Sequence, residues 1–355
     1  MSRTTPPRPV DISALFPELA PRARAAVRLH PRPGSPSADD SSIGGPLLWP
    51  ADEPWPTCPE HAGPSHRGVA PEAVRLTRRI LADAWTRPRP EGADLLTPEE
   101  AEAVDRGAAS PATRIAQDGP VPLIPVAQLY ATDVPALPRP AGSDLLQVLW
   151  CPYDHQPDYV PAVRLRWRTS ADVTDPLAPT FVPQPSVIGS DDYLPEPCVL
   201  HPETVTEYPA PHELPGDLAE RIGAWEEEQA DAEPEDEEQH PDGPGTGTGT
   251  GVDYQYDLSV APGCKLGGHA PWSFSDPFPM ACSACGADVR PLLTIDGTEW
   301  DGGSGSWRPV EDAGYAGLHF LGPACATRLT IGRGYNLQLY VCTTSYDHPH
   351  VQNMQ

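Results

Sequence analysis

Only one lysine, Lys265, occurs in 355 residues, and basic side chains of both kinds number 24 against 50 acidic ones. The resulting formal charge of −26 excludes docking on phosphate backbones or anionic lipid, because both need a cationic surface. Nucleic acid and membranes are therefore not expected as partners. The near-exclusive use of arginine for basic charge points to a GC-rich bacterial genome rather than to any chemistry. Long apolar runs are missing too, since no segment approaches the roughly 18 consecutive apolar residues of a membrane span. Met1 to Val10 is polar and proline-rich and lacks the charged and apolar regions of a secretory signal. Absent as well are a Gly-x-Ser-x-Gly elbow, a His-Glu-x-x-His helix and a complete nucleotide fingerprint. Triads scattered along a chain escape such a search.

Proline, by contrast, is abundant at 49 residues, roughly three times the usual share of about 5%, so much of the backbone must be irregular. Without an export signal the expected location is the cytoplasm, where thiols stay reduced. The eight cysteines then read as metal ligands or core fillers before disulfides. Residues 11–27 suggest a short helix leading into a strand that ends near Pro31. The clearest helix runs from Pro71 to Trp85, with Val74, Ile80, Leu81 and Trp85 on one face and Arg75, Arg78 and Arg79 on a solvated one. Val121–Leu129 and Asp144–Trp150 read as buried strands, and Val163–Trp167 as a strand with one wet face. A short helix is expected over Asp217–Trp225. The acidic run Glu226–Glu238 and the Gly/Thr run Gly243–Gly251 are expected to form a disordered linker, since the latter lacks the Gly-Lys-Ser/Thr ending of a P-loop.

Three features recur in the same order along the chain, as a duplicated half would require. Ile43-Gly44-Gly45 with Trp49 is echoed by Leu266-Gly267-Gly268 with Trp272. Pro122-Leu123-Ile124 and Val126 resemble Pro291-Leu292-Leu293 and Ile295. Leu146-Gln147, Cys151 and Tyr153-Asp154-His155 match Leu337-Gln338, Cys342 and Tyr346-Asp347-His348.

Each half also carries a knuckle with ligand spacing, Cys58-x-x-His61 in the first and Cys282-x-x-Cys285-Gly286 in the second. Such spacing lets two side chains converge on one tetrahedral ion, and the glycine helps the backbone turn beneath it. Joined to the later cysteine of its own half, each knuckle gives a four-ligand set: Cys58, His61, Cys151 and His155, and Cys282, Cys285, Cys342 and His348. Four thiolate and imidazole ligands favour zinc and leave no position for water, which argues for two structural zinc ions over a catalytic one. Unliganded core thiols and a redox dithiol at Cys282 and Cys285 are the alternatives. His350 competes with His348, and Cys264, His269 or Cys325 could substitute if the halves exchange elements. Cys198-x-x-His201 has the same spacing with no partner pair and reads as a surface loop.

The run Ser42–Pro50, Pro122–Leu137 with Gln128, Lys265–Gly268 with Trp272, and Cys-x-x-Cys-Gly followed by Leu-Leu-x-Ile-Asp ending at Asp296 together resemble the YwqG-like family of bacterial proteins, a domain of unknown function. The resemblance covers most of the chain outside the acidic linker. It implies an α+β fold, mostly antiparallel sheets with a few helices, in which two pseudo-equivalent halves pack as one compact body. The expected division is a first half over about 25–170, a proline-rich connection 171–225, the linker 226–251 and a second half 252–355. Thr294 stands where the family pattern has glutamine.

These features favour a binding or interaction module without catalysis, acting on a protein or small molecule that the sequence leaves unnamed. An acidic immunity or inhibitor protein facing a basic toxin is a second reading, resting on charge. A zinc-dependent hydrolase is a third, with Asp296, Asp154 or Asp347 as acid or base beside an open metal position.

Overall fold

A computed structural model describes residues 2–61, 67–90, 92–107, 115–117, 119–231 and 251–355. It confirms an α+β fold dominated by two six-stranded antiparallel sheets. In chain order the first sheet takes β2 (Arg32–Pro33), β3 (Ser42–Ile43), β8 (Ile124–Tyr130), β9 (Leu145–His155), β10 (Val160–Arg168) and β11 (Cys198–Val199). The second takes β1 (Arg24–Arg28), β12 (Glu203–Glu207), β13 (Lys265–Gly267), β14 (Val289–Asp296), β15 (Asn336–Cys342) and β16 (Val351–Met354). Among the described residues two short ladders, β4 (Thr57–Cys58) with β7 (Val121–Pro122) and β5 (Arg67–Gly68) with β6 (Ile115–Ala116), complete the strands.

Spatial order is β10-β9-β8-β3-β11-β2 in one sheet and β16-β15-β14-β13-β1-β12 in the other. Four strands thus run in the same sequence-to-space order in both. The register agrees in detail: Gln128 lies opposite Gln147, and Thr294 opposite Gln338. Each ladder carries an irregularity just after a proline, between Pro125 and Ala127 in one and between Pro291 and Leu293 in the other. The position matching Pro291 is therefore Pro125, not Pro122 as the sequence alone suggests. Pro122 lies three positions earlier, so local sequence likeness paired the wrong prolines where the cross-strand register fixes the match.

The remaining strands tie the sheets together. The segment 24–33 runs from β1 in the second sheet to β2 in the first, and 198–207 runs back from β11 to β12. At the crossing His30 adopts φ 44°, and Leu29 donates to the Cys264 carbonyl while accepting from the His201 N–H. One apolar core spans both sheets, joining Leu29, Ile43, Val148 and Trp150 to Leu266, Leu293 and Leu339.

Helix α1 (Ile12–Leu15) is capped by the Asp11 side chain and leads through a tight helical turn into β1, as expected. Helix α2 (Pro71–Thr86) begins with proline at a position where a missing N–H is harmless, and it buries Val74 against the core. Its Arg78 is not simply solvated: the guanidinium donates to the carbonyls of Asp191, Leu194 and Arg328 and pairs with Glu196 at 3.1 Å. Helix α3 (Pro98–Gly107) has no counterpart among the sequence expectations. Helix α4 (Gly216–Asp231) continues six residues past Trp225 into the acidic run. Glutamate is a good helix former, and the Glu226 carboxylate accepts the Tyr254 N–H, which ties that part of the helix to the body. The rest of the expected linker, 232–250, lies outside the described residues.

Candidate metal centres

The first centre is assembled at one end of the first sheet. Cys58 comes from β4, His61 follows in the turn after it, and Cys151 and His155 lie on β9. Side chains alternate along a strand, so residues four apart share a face, and the two β9 donors are presented together. Cys58, Cys151 and His61 are buried. The Cys58 sulfur lies 3.8 Å from His155 Nε2, which is 3.0 Å from His61 Nε2. The His61 ring stacks on Tyr153 at 4.6 Å between centroids and meets His155 edge-on. His155 Nδ1 lies 2.8 Å from the Glu60 carboxylate, leaving Nε2 directed at the other donors. A carboxylate behind the imidazole in this way fixes the tautomer and the orientation of the ring. Sequence spacing did not single out Glu60, although it sits inside the Cys58-Pro59-Glu60-His61 knuckle.

At the second centre Cys282 and Cys285 lie in a tight turn, Cys342 ends β15 and His348 follows in a loop. The Gly286 N–H donates to the Cys282 carbonyl and the Cys282 N–H to the Ala287 carbonyl, both at 2.8 Å. Gly286 holds φ +70° at the point where the knuckle reverses. The Cys285 and Cys342 sulfurs are 3.6 Å apart, and His348 Nδ1 lies 3.4 Å from Cys342 and 3.6 Å from Cys282. His348, not His350, therefore completes the set.

In each centre all four donor atoms lie within 4.8 Å of one another. A regular tetrahedron around zinc, with Zn–S of about 2.3 Å and Zn–N of about 2.0–2.1 Å, has edges of about 3.3–3.8 Å. Four donor separations of 3.4–3.8 Å fall in that range, and the 3.0 Å between His61 and His155 Nε2 is slightly shorter. Both Cys/His groups can hold a metal ion. The eight cysteines are all free thiols, so none of these sulfurs is committed elsewhere.

The thiols differ in electrostatic setting. Burial, then the neighbouring Cys58 sulfur, pushes Cys151 far above the ordinary thiol range. At Cys342 burial acts in the same direction, but the N–H groups of Thr344 and Ser345, His348 and the Cys285 thiol together outweigh it and lower the group to about 5. The Thr344 N–H approaches the sulfur to 3.3 Å. A preformed thiolate is what a cation needs as its first ligand.

The other candidate ligands are elsewhere. Cys198 is fully buried on β11 in the main core and donates to the Ala326 carbonyl. It is a core residue and not part of a surface loop, because its strand is covered from both halves. Cys264 is equally buried and its thiol points to the Asp296 carbonyl. His269 Nε2 lies 2.9 Å from the Arg22 carbonyl. Asp154 accepts the Tyr193 hydroxyl at 2.6 Å, while Asp296 lines a separate cavity that none of the eight donors reaches.

Neither a scan against protein-family models nor a search of curated proteins finds a match to this chain. Among the described residues no helix is long and apolar enough to cross a membrane.

Proposed function

We propose that this chain is a zinc-stabilised binding or interaction module without catalysis, with one structural zinc at each Cys/His centre. The reading is carried by two complete four-donor sets, each with its donor atoms gathered within 4.8 Å of one another, close enough to converge on one tetrahedral ion. Sulfur-rich tetrahedral sites select zinc over hard oxygen-seeking cations. Four protein donors leave no coordination position for a substrate or an activated water, which weighs against the hydrolase reading. The common strand order and bulge position of the sheets support descent of the halves from one duplicated unit and a YwqG-like affiliation. The excess of acidic residues supports a protein or small-molecule partner over nucleic acid or membrane. Reduced thiols in each set fit a cytoplasmic setting.

The test is metal analysis by mass spectrometry on untagged protein. Two equivalents of zinc are expected, falling to one in Cys151→Ser and to one in Cys285→Ser; metal-free native protein would overturn the reading. X-ray absorption at the zinc edge should show sulfur and nitrogen only. An oxygen neighbour would move the balance toward the hydrolase. The immunity-protein reading gains if a basic partner copurifies in a salt-sensitive manner.

A further inference from the structure

The two sheets match strand for strand, yet they differ at one place. In the first, Leu48, Tyr130 and Leu145 form a closed apolar cluster with Ala38 packed against it. The positions that the register makes equivalent in the second are Pro271, Asp296 and Asn336: Tyr130 pairs with Leu145, and Asp296 with Asn336. Leu48 and Pro271 each precede a tryptophan and each accept a hydrogen bond from the glutamine of the central strand, Gln147 and Gln338 respectively. Where the first half is filled, all three second-half residues line a cavity of about 230 Å³. Two apolar side chains have been replaced by a carboxyl and an amide facing this space. Both groups have partners within the fold, Asn336 Oδ1 accepting from Gln338 Nε2 at 3.1 Å and Asp296 from the Thr298 N–H at 2.9 Å, and both still line the cavity.

The cavity's chemistry narrows its ligand. Trp272 and Trp300, both about 6% exposed, supply apolar walls with Tyr256 at the rim. Asp296 and Asp301 supply two carboxyls, and the lining includes no arginine, lysine or histidine. One oxygen of Asp296 accepts the Thr298 N–H and one of Asp301 accepts from Ser304. These bonds hold both carboxyls by their backs. Carboxyls gathered in a half-enclosed space repel one another when ionised, and a bound cation relieves that penalty. The Trp272 wall adds attraction for the same kind of group, while the Trp300 ring already has the guanidinium groups of Arg32 and Arg308 at 5.8 and 5.9 Å. The volume lies below that of drug-sized pockets, about 300–1,000 Å³.

We propose that this cavity binds a small organic cation, an ammonium or guanidinium group on a short apolar body, with Asp296 and Asp301 as counter-charges and Trp272 and Trp300 as walls. The site goes beyond the zinc reading, because no donor of either metal centre lines it. The test is titration calorimetry on the full chain at pH 8 with putrescine, agmatine, choline and glucose as probes. At least one of the three cations is expected to bind, with affinity falling at least tenfold in Asp296→Asn and in Asn336→Leu, which restores the leucine present at 145. Glucose is expected not to bind. Failure of all three cations, equal affinity for glucose, or affinity unchanged in both folded variants would each overturn the proposal. Circular dichroism confirms folding of each variant, and zinc measured on the same samples keeps this outcome separate from the fate of the metal reading.

Discussion

Lys265 is the only lysine in the chain and is fully buried, with its ammonium 2.5 Å from Glu207 and 2.7 Å from the His269 carbonyl. Glu207 also accepts the N–H groups of Ala261 and His269. Removing one partner of such a pair leaves an uncompensated buried charge. Lys265→Met is therefore expected to destabilise the fold by about 3–5 kcal/mol, measured by urea unfolding; a loss within error of zero would refute the pairing. Asp296 gives a pH signature. Burial, with the Glu299 and Asp301 carboxylates adding to it, raises its carboxyl to about 7, and Cys264, Lys265 and Cys325 also face it. The fold thus favours the protonated form. Its contribution is full below about pH 4, the unfolded range, and lost as pH rises through about 7. Between pH 5 and pH 8 the Tm of the native protein should fall further than that of Asp296→Asn, and parallel declines would exclude this residue as the cause. The eight metal donors were legible in the sequence because each knuckle is local and its partner cysteine recurs beside the same Tyr-Asp-His triplet. Arg78 was not, because the carbonyls it binds are more than a hundred residues away in sequence.

Among the elements, α2 and the long strands of the first sheet could be read from periodicity, whereas α3 could not, having no buried residue among those described. Its one signal was a capping box: the Thr97 hydroxyl accepts the Glu100 N–H and the Glu100 carboxylate accepts the Thr97 N–H. The Gly-Gly and Cys-Gly signals proved to be of two kinds. At Gly286 (φ +70°) an added Cβ meets nothing within 4 Å, so Gly286→Ala should cost only the left-handed backbone, about 1–2 kcal/mol. At Gly268, also φ +70°, a Cβ would run into the Glu207 carboxylate and the Ala26 side chain. Gly268→Ala should therefore be much the more damaging, and a thermal-shift comparison of the pair checks that order. The same glycine clears the space in which Glu207 meets Lys265, so the turn and the buried ion pair form one device.

At the scale of the molecule, the sequence suggested two halves in tandem, but the strands do not respect that division. β1 lies at the start of the first half in sequence terms yet pairs with β13, and β12, from the proline-rich connection, pairs with β1. A periodicity search sees which segments repeat, not which sheet each joins, so this exchange was invisible without coordinates. Residues 252–355 produced alone would leave the β13 edge unpaired, and they are expected to be insoluble or unfolded by circular dichroism. A folded, soluble fragment would contradict the shared core. The full chain should accordingly unfold in one transition. The buried lysine adds a practical property. With its single side-chain amine sealed between β13 and Glu207, the folded protein presents no lysine to amine-reactive reagents. Acylation at residue 265 then occurs only through opening of the second sheet, and its rate records how often that sheet opens.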